Sequence, residues 1–411
     1  SLLNGQDSWR FGMRCQTKQS STTARCSVRA EQAMSPAGLY FHIPFCKRKC
    51  PYCDFYSVTG RDHLAAFLAA LHREIALRAA PEMTVNTVYF GGGTPSLLSP
   101  PAVADVVAAV QTHFNLLADV EVTLETNPGA VGREGLARLR KIGVNRLNIG
   151  VQSFRDDALH FLGRIHNRAE ACAVIDQARA AGFDNLGVDL IYGLPGQTMS
   201  DWLSDLEQAL HYRPEHLSCY ILTFEPGTPM TCDLERGRLA PLAESRVVDM
   251  FETTAAFLSG HGYDHYEISN FARTPDFRSR HNMKYWHFDP YLGFGPSAHS
   301  YRENTRSWNI ADLDIYMQRL AQDRRPEDGR EVLTREQQVL EALLLGLRLK
   351  EGFSIMEFEQ RFQLSVEATF GRLLNQLGEE GCLADRPGRC ALSMRGMRYH
   401  NSISARFAAE L

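Results

Sequence analysis

Six short apolar runs, separated by amphipathic stretches, constrain the fold of this chain more than any other feature. The runs are Gly38–His42, Asn86–Phe90, Val120–Thr126, Arg146–Gly150, Leu186–Ile191 and His216–Leu222. The stretches between them are Asp62–Ala79, Pro101–His113, Glu134–Lys141, Ala169–Ala180 and Ser200–His211. Repeated strand–helix units of this kind form a parallel sheet with right-handed crossovers. The pattern predicts an α/β fold and leaves open whether the sheet is doubly wound or curled into a barrel.

Helical periodicity replaces this alternation after about residue 325. The predicted elements are helices at Thr334–Leu349, Ser354–Phe362 and Val366–Glu379, and a strand-like stretch at Cys390–Met394. We therefore predict a large domain at residues 37–325 and a small helix-rich domain at residues 326–411, of winged-helix-like shape. The small domain has no concentrated basic stripe, which favours an interaction or lid role over nucleic-acid binding.

Residues 1–36 differ in composition from the rest of the chain. They are rich in Arg, Ser and Thr, and their only acidic residues are Asp7 and Glu31. This composition is typical of an organellar transit peptide, and equally of an unstructured leader or an extension upstream of a start at Met34. We expect a disordered segment without chemistry. The expected compartment is the cytoplasm, or the mitochondrial matrix or a plastid if the segment is a transit peptide.

The charge and cysteine content narrow the class of protein. A net charge of −4 gives no general attraction to nucleic acid or acidic lipid. No apolar run approaches the roughly 20 residues that cross a bilayer. The ten cysteines are spread along a long chain without a secretory signal pattern, which favours a reducing compartment over a disulfide framework.

Three cysteines, spaced as Cys46-x3-Cys50-x2-Cys53, directly follow the first predicted strand. Thiolates are the usual ligands of iron–sulfur clusters. Three thiolates on a four-iron cubane leave one iron free to chelate the amino and carboxylate groups of S-adenosylmethionine (SAM), and electron transfer then cleaves a carbon–sulfur bond of SAM. A structural zinc site would need four ligands, and no second cysteine pair has matching spacing. We predict a [4Fe-4S] cluster on these three residues.

Polar and glycine residues follow the later strands. Gly91, Gly92 and Gly93 permit close backbone approach to a ligand, although a tight strand–helix turn is the alternative. Glu125, Gln152 and Asp189 end successive apolar strands. Such residues are costly to bury without partners, and three of them suggest one shared polar pocket. Helix capping or a buried salt bridge is the alternative.

The ordered motifs resemble the HemW family, which comprises the haem-chaperone relatives of the oxygen-independent coproporphyrinogen III oxidases. The motifs are HIPFCKRKCPYCDF, YFGGGTPS, LETNP, RLNIGVQSF, GVDLIYGLPGQT, YEISNFA, HNMKYW and YLGFGPSAHSY. The resemblance covers residues 38–405 and implies a radical SAM partial (β/α)6 TIM-type barrel with a small C-terminal domain.

The resemblance also implies roles for individual residues. Cys46, Cys50 and Cys53 match the cluster ligands of the family. The positions that match SAM-binding residues of the related oxidase are Tyr40, Gly92, Gly93, Thr94, Glu125, Gln152, Arg164 and Asp189. The alternative for Arg164 is a solvated side chain, which is usual for an arginine after a short helix.

Two features separate the chaperone from the oxidase within this resemblance. The oxidase pattern has a further cysteine two residues after the third, where this chain has Phe55. The HNMKYW motif resembles a HemW motif linked to haem binding, which makes His281 a predicted haem ligand. The alternative is that His281 caps a helix or fills a loop hydrogen bond. His299 and Tyr301 are secondary candidates on the substrate side.

The resemblance favours a haem chaperone that transfers haem to an acceptor haemoprotein. The main alternative is an enzyme, an oxygen-independent coproporphyrinogen III oxidase, and a third class is a radical SAM enzyme with another substrate. The expected partners are haem, the acceptor, an electron donor such as flavodoxin or ferredoxin and, through peripheral contact, membrane-bound acceptors. The expected oligomeric state is a monomer or a cluster-dependent dimer.

Overall fold

The computed structural model of the protein describes residues 35–411. The predicted leader, residues 1–36, lies outside the described residues except for its last two positions. The strand–helix repeat occupies the first part of the described chain. Its elements are β1 (Ala37–Ile43), β2 (Phe45–Cys46), β3 (Val58–Thr59), α1 (Leu64–Leu77), β4 (Ala80–Gly92), α2 (Pro100–His113), β5 (Phe114–Thr126), α3 (Arg133–Ile142), β6 (Arg146–Gln152), α4 (Asp156–Phe161), α5 (Arg168–Ala180), β7 (Leu186–Tyr192), α6 (Met199–His211) and β8 (His216–Ile221).

The long parallel strands are buried on both faces, as their apolar sequences predict. Every residue of β1 is buried except Tyr40, every residue of β6 except Gln152, and every residue of β7 except Asp189. Near-continuous burial is typical of parallel strands that are covered on both sides. The three exceptions are all predicted site residues, and two of them, Gln152 and Asp189, line the interior of the curled sheet.

The middle of the chain extends the sheet at both edges with short strands that the periodicity did not predict. Its elements are α7 (Pro229–Glu235), α8 (Glu244–Gly260), β9 (Asp264–Glu267), β10 (Asn270–Ala272), α9 (Arg280–Trp286), β11 (Tyr291–Phe294), β12 (His299–Arg302), β13 (Thr305–Asn309), α10 (Leu313–Ala321) and β14 (Glu327–Val332). Strand β11 pairs with β1 in parallel, whereas β12, β13 and β14 continue that edge in antiparallel pairing.

Within residues 35–411 the sheet has twelve strands in the order β14-β13-β12-β11-β1-β4-β5-β6-β7-β8-β10-β9. Strands β14 and β9 are its two edges, so the sheet does not close into a full barrel. Side chains from β4 to β8 nevertheless line one cavity. The sheet is therefore curled and open, which decides between the alternatives that the sequence left open.

Helix α9, which carries the HNMKYW motif, closes the end of the barrel where the strands begin. It lies against a row formed by Gly38 of β1, Thr87 of β4 and Glu121 of β5, which are neighbours in the strand register. The Glu121 carboxylate accepts hydrogen bonds from the backbone N–H groups of Arg280 (3.2 Å) and His281 (3.1 Å). An acidic side chain at a helix N-terminus is favourable because it satisfies unpaired N–H groups.

The last elements are mainly helical, as predicted. They are α11 (Arg335–Gly346), β15 (Phe353–Ser354), α12 (Ile355–Phe362), α13 (Val366–Glu379), β16 (Arg389–Cys390), α14 (Met394–Arg398) and α15 (His400–Ala408). The predicted strand-like stretch is shorter than expected, because Ser393 caps α14 by accepting a hydrogen bond from the Gly396 N–H. No helix of the described residues is long and apolar enough to cross a membrane.

Candidate cofactor site

The interior of the curled sheet contains a cavity of about 240 Å³ that opens beside the cysteine loop. The end of β4 contributes Gly92 and Gly93, and β5, β6 and β7 contribute Glu125, Gln152 and Asp189. Ligands of parallel α/β proteins usually bind at the carboxyl ends of strands. The fold therefore brings together the polar residues that the sequence suggested would share one pocket.

The three motif cysteines lie on the loop that begins with β2. Cys46, Cys50 and Cys53 are free and half-buried, and the Cys53 N–H donates to the Cys50 carbonyl (3.2 Å). Burial raises the pKa of Cys46 and raises that of Cys53 to about 11, and the neighbouring thiols add to both shifts. Both thiols are therefore protonated until a bound metal displaces their protons.

This donor set fits an iron–sulfur cluster better than a single ion. Residues 35–411 contain no group of three or more His, Cys, Asp or Glu side chains close enough to hold one metal ion. Each cysteine of a cubane binds a different iron, so the three sulfur atoms need not converge on one point. Three free thiols on one loop beside a polar cavity match a cluster with one open iron.

A chain of polar contacts joins two of these cysteines. The Thr94 hydroxyl lies 3.8 Å from Cys46 Sγ and accepts from Asn127 Nδ2 (3.0 Å). Asn127 Oδ1 accepts from Arg164 Nη2 (2.5 Å), and Arg164 Nη1 lies 3.5 Å from Cys50 Sγ. Arg164 is thus half-buried against a cysteine rather than solvated.

Two carboxylates of the cavity, Glu125 and Asp189, are held in an environment that opposes their ionisation. Burial raises the pKa of Glu125 to about 7, although a hydrogen bond from the Tyr89 hydroxyl (2.7 Å) opposes the shift. Burial also raises the pKa of Asp189, against hydrogen bonds from Ser218 and from Asn148 Nδ2 (2.5 Å). The oxygen atoms of both side chains can accept hydrogen bonds from a polar ligand. Because its pKa is about 7, Glu125 changes its protonation state near neutral pH.

The backbone is closely constrained at two positions around the cavity. Gln152, which ends β6, has a φ of 69°, a left-handed conformation that is uncommon for non-glycine residues and recurs at functional sites. A Cβ atom at Gly150 would lie 2.6 Å from Asn127 Oδ1. Glycine is therefore required where β6 passes the Asn127–Arg164 hydrogen bond.

Six of the eight predicted SAM-binding residues line the cavity: Gly92, Gly93, Glu125, Gln152, Arg164 and Asp189. Thr94 lines an adjoining cleft next to Cys50. Tyr40 lies behind the cavity wall, where its ring centroid is 6.1 Å from that of Tyr89 and its hydroxyl lies 3.2 Å from His42 Nδ1.

His281 is not at the surface of the cavity. It is 1% exposed, its Nδ1 lies 2.8 Å from the Thr87 hydroxyl and its Nε2 lies 2.9 Å from the Tyr285 hydroxyl. Burial, together with the charges of Lys284 and Arg146, lowers its pKa to about 3, so the imidazole is neutral. In this conformation both ring nitrogens have partners.

The secondary candidates lie elsewhere in the sheet. His299 and Tyr301 are on β12, and neither lines the cavity. The Tyr301 ring stacks on Phe288 with centroids 4.3 Å apart. Their positions indicate packing within the antiparallel part of the sheet, where β12 lies between β11 and β13.

Sequence reasoning missed three residues of the site: Tyr89, Asn127 and Arg146. Arg146 is 1% exposed and lines the cavity, and its Nε and Nη2 have no hydrogen-bond partner among the described residues. Its charge opposes the burial that raises the pKa of Glu125 and Asp189. The alternation of β6 contained a signal, because Arg146 and Asn148 share a strand face with Gln152.

Comparisons with known proteins identify the family of this chain. A model of the radical SAM superfamily matches residues 40–209, and a model of the HemN C-terminal domain matches residues 333–399. The heme chaperone HemW of Lactococcus lactis subsp. lactis is 34% identical over 374 residues, which cover 90% of this chain and 97% of that protein. This chain belongs to the HemW family.

Other relatives extend the match. HemW of Bacillus subtilis is 34% identical over 379 residues, covering 90% of this chain and 99% of that protein. The solved structure of the Escherichia coli coproporphyrinogen III oxidase HemN, a radical SAM enzyme, aligns with a TM-score of 0.80 and 25% identity over 92% of this chain and 91% of that one. The predicted HemW family and radical SAM fold are confirmed, and the radical SAM domain implies a [4Fe-4S] cluster and SAM.

Proposed function

We propose that this HemW-family chain is a haem chaperone that carries a SAM-liganded [4Fe-4S] cluster, binds haem and transfers it to an acceptor haemoprotein. The observation that carries the proposal is the match over 97% and 99% of the length of two proteins named heme chaperones. Phe55 supports it, because a 47% exposed phenylalanine replaces the further cysteine of the oxidase pattern at the cavity wall. Coproporphyrinogen oxidation is therefore not the favoured function.

In this proposal the cavity residues hold the cofactors. Cys46, Cys50 and Cys53 ligate three irons of the cluster, which when bound supplies an electron for the cleavage of SAM. Gly92, Gly93 and Thr94 offer backbone and hydroxyl groups beside Cys46. The SAM-contacting side chains farther along the sheet are Glu125, Gln152 and Asp189, with Tyr40 behind them and Arg164 against Cys50.

Haem is the cargo, and we retain His281 as its proposed ligand in an opened conformation. A neutral imidazole suits haem iron, but the ring must first give up its contact with Tyr285 or Thr87. Helix α9 is only seven residues long and is flanked by the short strands β10 and β11. In this proposal α9 moves away from the end of the barrel when His281 ligates haem.

The remaining partners and boundaries are also proposals. Lys47, Arg48 and Lys49 are exposed beside the cysteines and offer a basic surface to an electron donor such as flavodoxin or ferredoxin. We place the start of the C-terminal domain near residue 333, after β14 has completed the main sheet and where the HemN C-terminal match begins. The proposed compartment is the cytoplasm, and the proposed assembly is a monomer or a cluster-dependent dimer.

The test uses one anaerobically reconstituted sample of the full chain for two assays, a haem titration and turnover of coproporphyrinogen III with SAM and reductant. Stoichiometric haem binding without turnover supports the proposal, and turnover without stable haem binding contradicts it. Cys50→Ala should lose cluster iron and the brown chromophore. Cys172→Ala is the matched control, because this free, half-buried cysteine lies on α5 away from the loop.

A further inference from the structure

We propose that His281 is a positioning residue of the SAM pocket, acting through Tyr89 on Glu125. The proposal concerns the closed conformation and rests on the proposed assignment of Glu125 to SAM binding. It gives the HNMKYW motif a role that does not depend on haem. His281 influences Glu125 through a row of stacked aromatic rings between α9 and the cavity.

The first step is the contact between His281 and Tyr89. Their ring centroids are 5.0 Å apart and their planes are inclined by 27°. The imidazole is fixed at both nitrogens, by Thr87 and by Tyr285. A ring held at two points cannot rotate freely, so it presents a rigid flat surface to Tyr89.

The second step is the confinement of Tyr89 from the side of β1. The Tyr40 ring lies 6.1 Å from Tyr89 and 6.3 Å from His281, with inclinations of 26° and 28°. The three rings therefore form one nearly parallel cluster. Loss of the His281 ring would leave an empty volume into which Tyr89 can turn.

The third step is the hydrogen bond from Tyr89 to the cavity. The Tyr89 hydroxyl donates to Glu125 Oε1 at 2.7 Å and thereby orients the carboxylate. The titratable groups around Glu125 are Tyr89, Asp189, Arg146, Tyr40 and Tyr285. His281 is neutral, so its influence on Glu125 is exerted by packing.

The experiment measures the SAM dissociation constant of haem-free, cluster-reconstituted full-length protein at pH 8 by anaerobic equilibrium dialysis. Tyr89→Phe keeps the ring and removes a hydrogen bond to a charged group, which should weaken SAM binding roughly 10- to 100-fold. His281→Ala should weaken it by a similar factor. His281→Phe keeps a ring against Tyr89 but lacks the two hydrogen bonds of the imidazole, so it should weaken SAM binding less than His281→Ala does.

A double variant separates positioning from general damage. If His281 acts through the Tyr89 hydroxyl, His281→Ala should add less than about threefold in a Tyr89→Phe background. The proposal is overturned if the fold-changes in SAM dissociation constant of the two single variants multiply in the double variant. It is also overturned if His281→Ala leaves SAM affinity unchanged, or if His281→Ala and His281→Phe lose equal affinity. If the alanine variant does not fold, His281→Leu replaces it, because leucine fills the volume without a flat ring.

Two controls make the outcomes distinguishable. His265 is also buried and stacked on an aromatic ring, Phe271, at 4.4 Å, but it lies on the edge strand β9. His265→Phe should leave SAM affinity unchanged. Wild-type affinity in Glu125→Gln would refute the SAM-site assignment itself, whereas a weakened Glu125→Gln with unaffected His281 variants would refute only the positioning role.

Discussion

At the scale of single residues, Glu125 is the proposed SAM-binding group whose pKa lies near neutral pH. Its pKa of about 7 is raised by burial and by Asp189, against Tyr89 and Arg146. The ionised carboxylate is the stronger hydrogen-bond acceptor, and it is lost as the pH falls through 7. We therefore expect SAM affinity to decrease below neutral pH, as a titration of the dissociation constant from pH 8.5 to 5.5 would show. Constant affinity over this range would contradict the role of Glu125.

Glu125 also links the site to the stability of the empty protein. Because its folded pKa is raised from 4.5 to about 7, the folded state binds this proton more tightly than the unfolded state. The free energy of unfolding therefore falls as the pH rises from 4.5 through 7. Glu125→Gln removes this loss, so the melting temperature of the SAM-free protein should rise at pH 8 while SAM affinity drops. Exposed Glu134→Gln should change neither, and a lower melting temperature in Glu125→Gln would contradict the argument.

Arg164 places a positive charge next to a cluster ligand. Its Nη1 lies 3.5 Å from Cys50 Sγ. Positive charge and hydrogen bonds to the sulfur atoms stabilise the reduced, more negative cluster. Arg164→Met should lower the midpoint potential of the reconstituted cluster in a potentiometric EPR titration. Exposed Arg168→Met is the control, and equal potentials in the two variants would show that Arg164 does not tune the cluster.

At the scale of elements, α9 cannot serve haem and the SAM pocket in the same position. In the closed position His281 supports Tyr89, and in the proposed haem-bound position it has left that contact. Binding of one ligand should therefore weaken binding of the other by the same factor, since linkage is reciprocal. The prediction is a higher SAM dissociation constant in haem-loaded than in haem-free protein. Equal constants would mean that haem binds without moving α9.

The sequence predicted the six long parallel strands but not the short edge strands, and the difference is physical. Runs such as Leu186–Ile191 are apolar except for Asp189, because every other residue of β7 is buried. Strands β12 (HSYR) and β13 (TRSWN) are polar and short, and they are held by pairing with neighbouring strands, β12 with β11 and β13 with β12 and β14. Pairing of that kind depends on tertiary contacts that local periodicity does not record.

Site residues that belong to a sequence motif could be predicted, whereas residues placed in the site by tertiary contacts could not. The cysteine spacing and the strand-end polar residues identified the loop and the cavity wall. Asn127 joins Thr94 to Arg164 only because the ends of β4, β5 and β6 converge. The burial of His281 likewise depends on Gly38, whose missing side chain leaves space for the imidazole: a Cβ there would lie 3.0 Å from it.

At the scale of the whole molecule, the same motif joins the barrel to the C-terminal helices. Trp286, the last residue of α9, lies beneath the Arg348 guanidinium, 4.3 Å from its ring centroid. Arg348 also donates to Glu267 of β9 (3.2 Å), and the two side chains are 4% and 0% exposed. The junction also contains an isolated antiparallel β-bridge between Glu267 and Leu349. Next to it, the Lys350 N–H donates a hydrogen bond to the Tyr266 carbonyl (3.0 Å). One end of α9 thus faces the SAM pocket and the other faces the junction.

Removing one partner of the buried Arg348–Glu267 pair should lower the free energy of unfolding far more than removing both partners. Arg348→Met would leave the Glu267 carboxylate buried without its cation, which costs about 3–5 kcal/mol of the free energy of unfolding. Adding Glu267→Gln removes the uncompensated charge and should restore most of that loss, since the amide oxygen can still accept from the Ser269 N–H (3.0 Å). Urea titrations of the two single variants and the double variant measure the effect, with Arg406→Met as the control because its pair with Glu380 is exposed. If Arg348→Met costs no more than Arg406→Met, the junction is held by apolar packing and the charges at its centre contribute nothing.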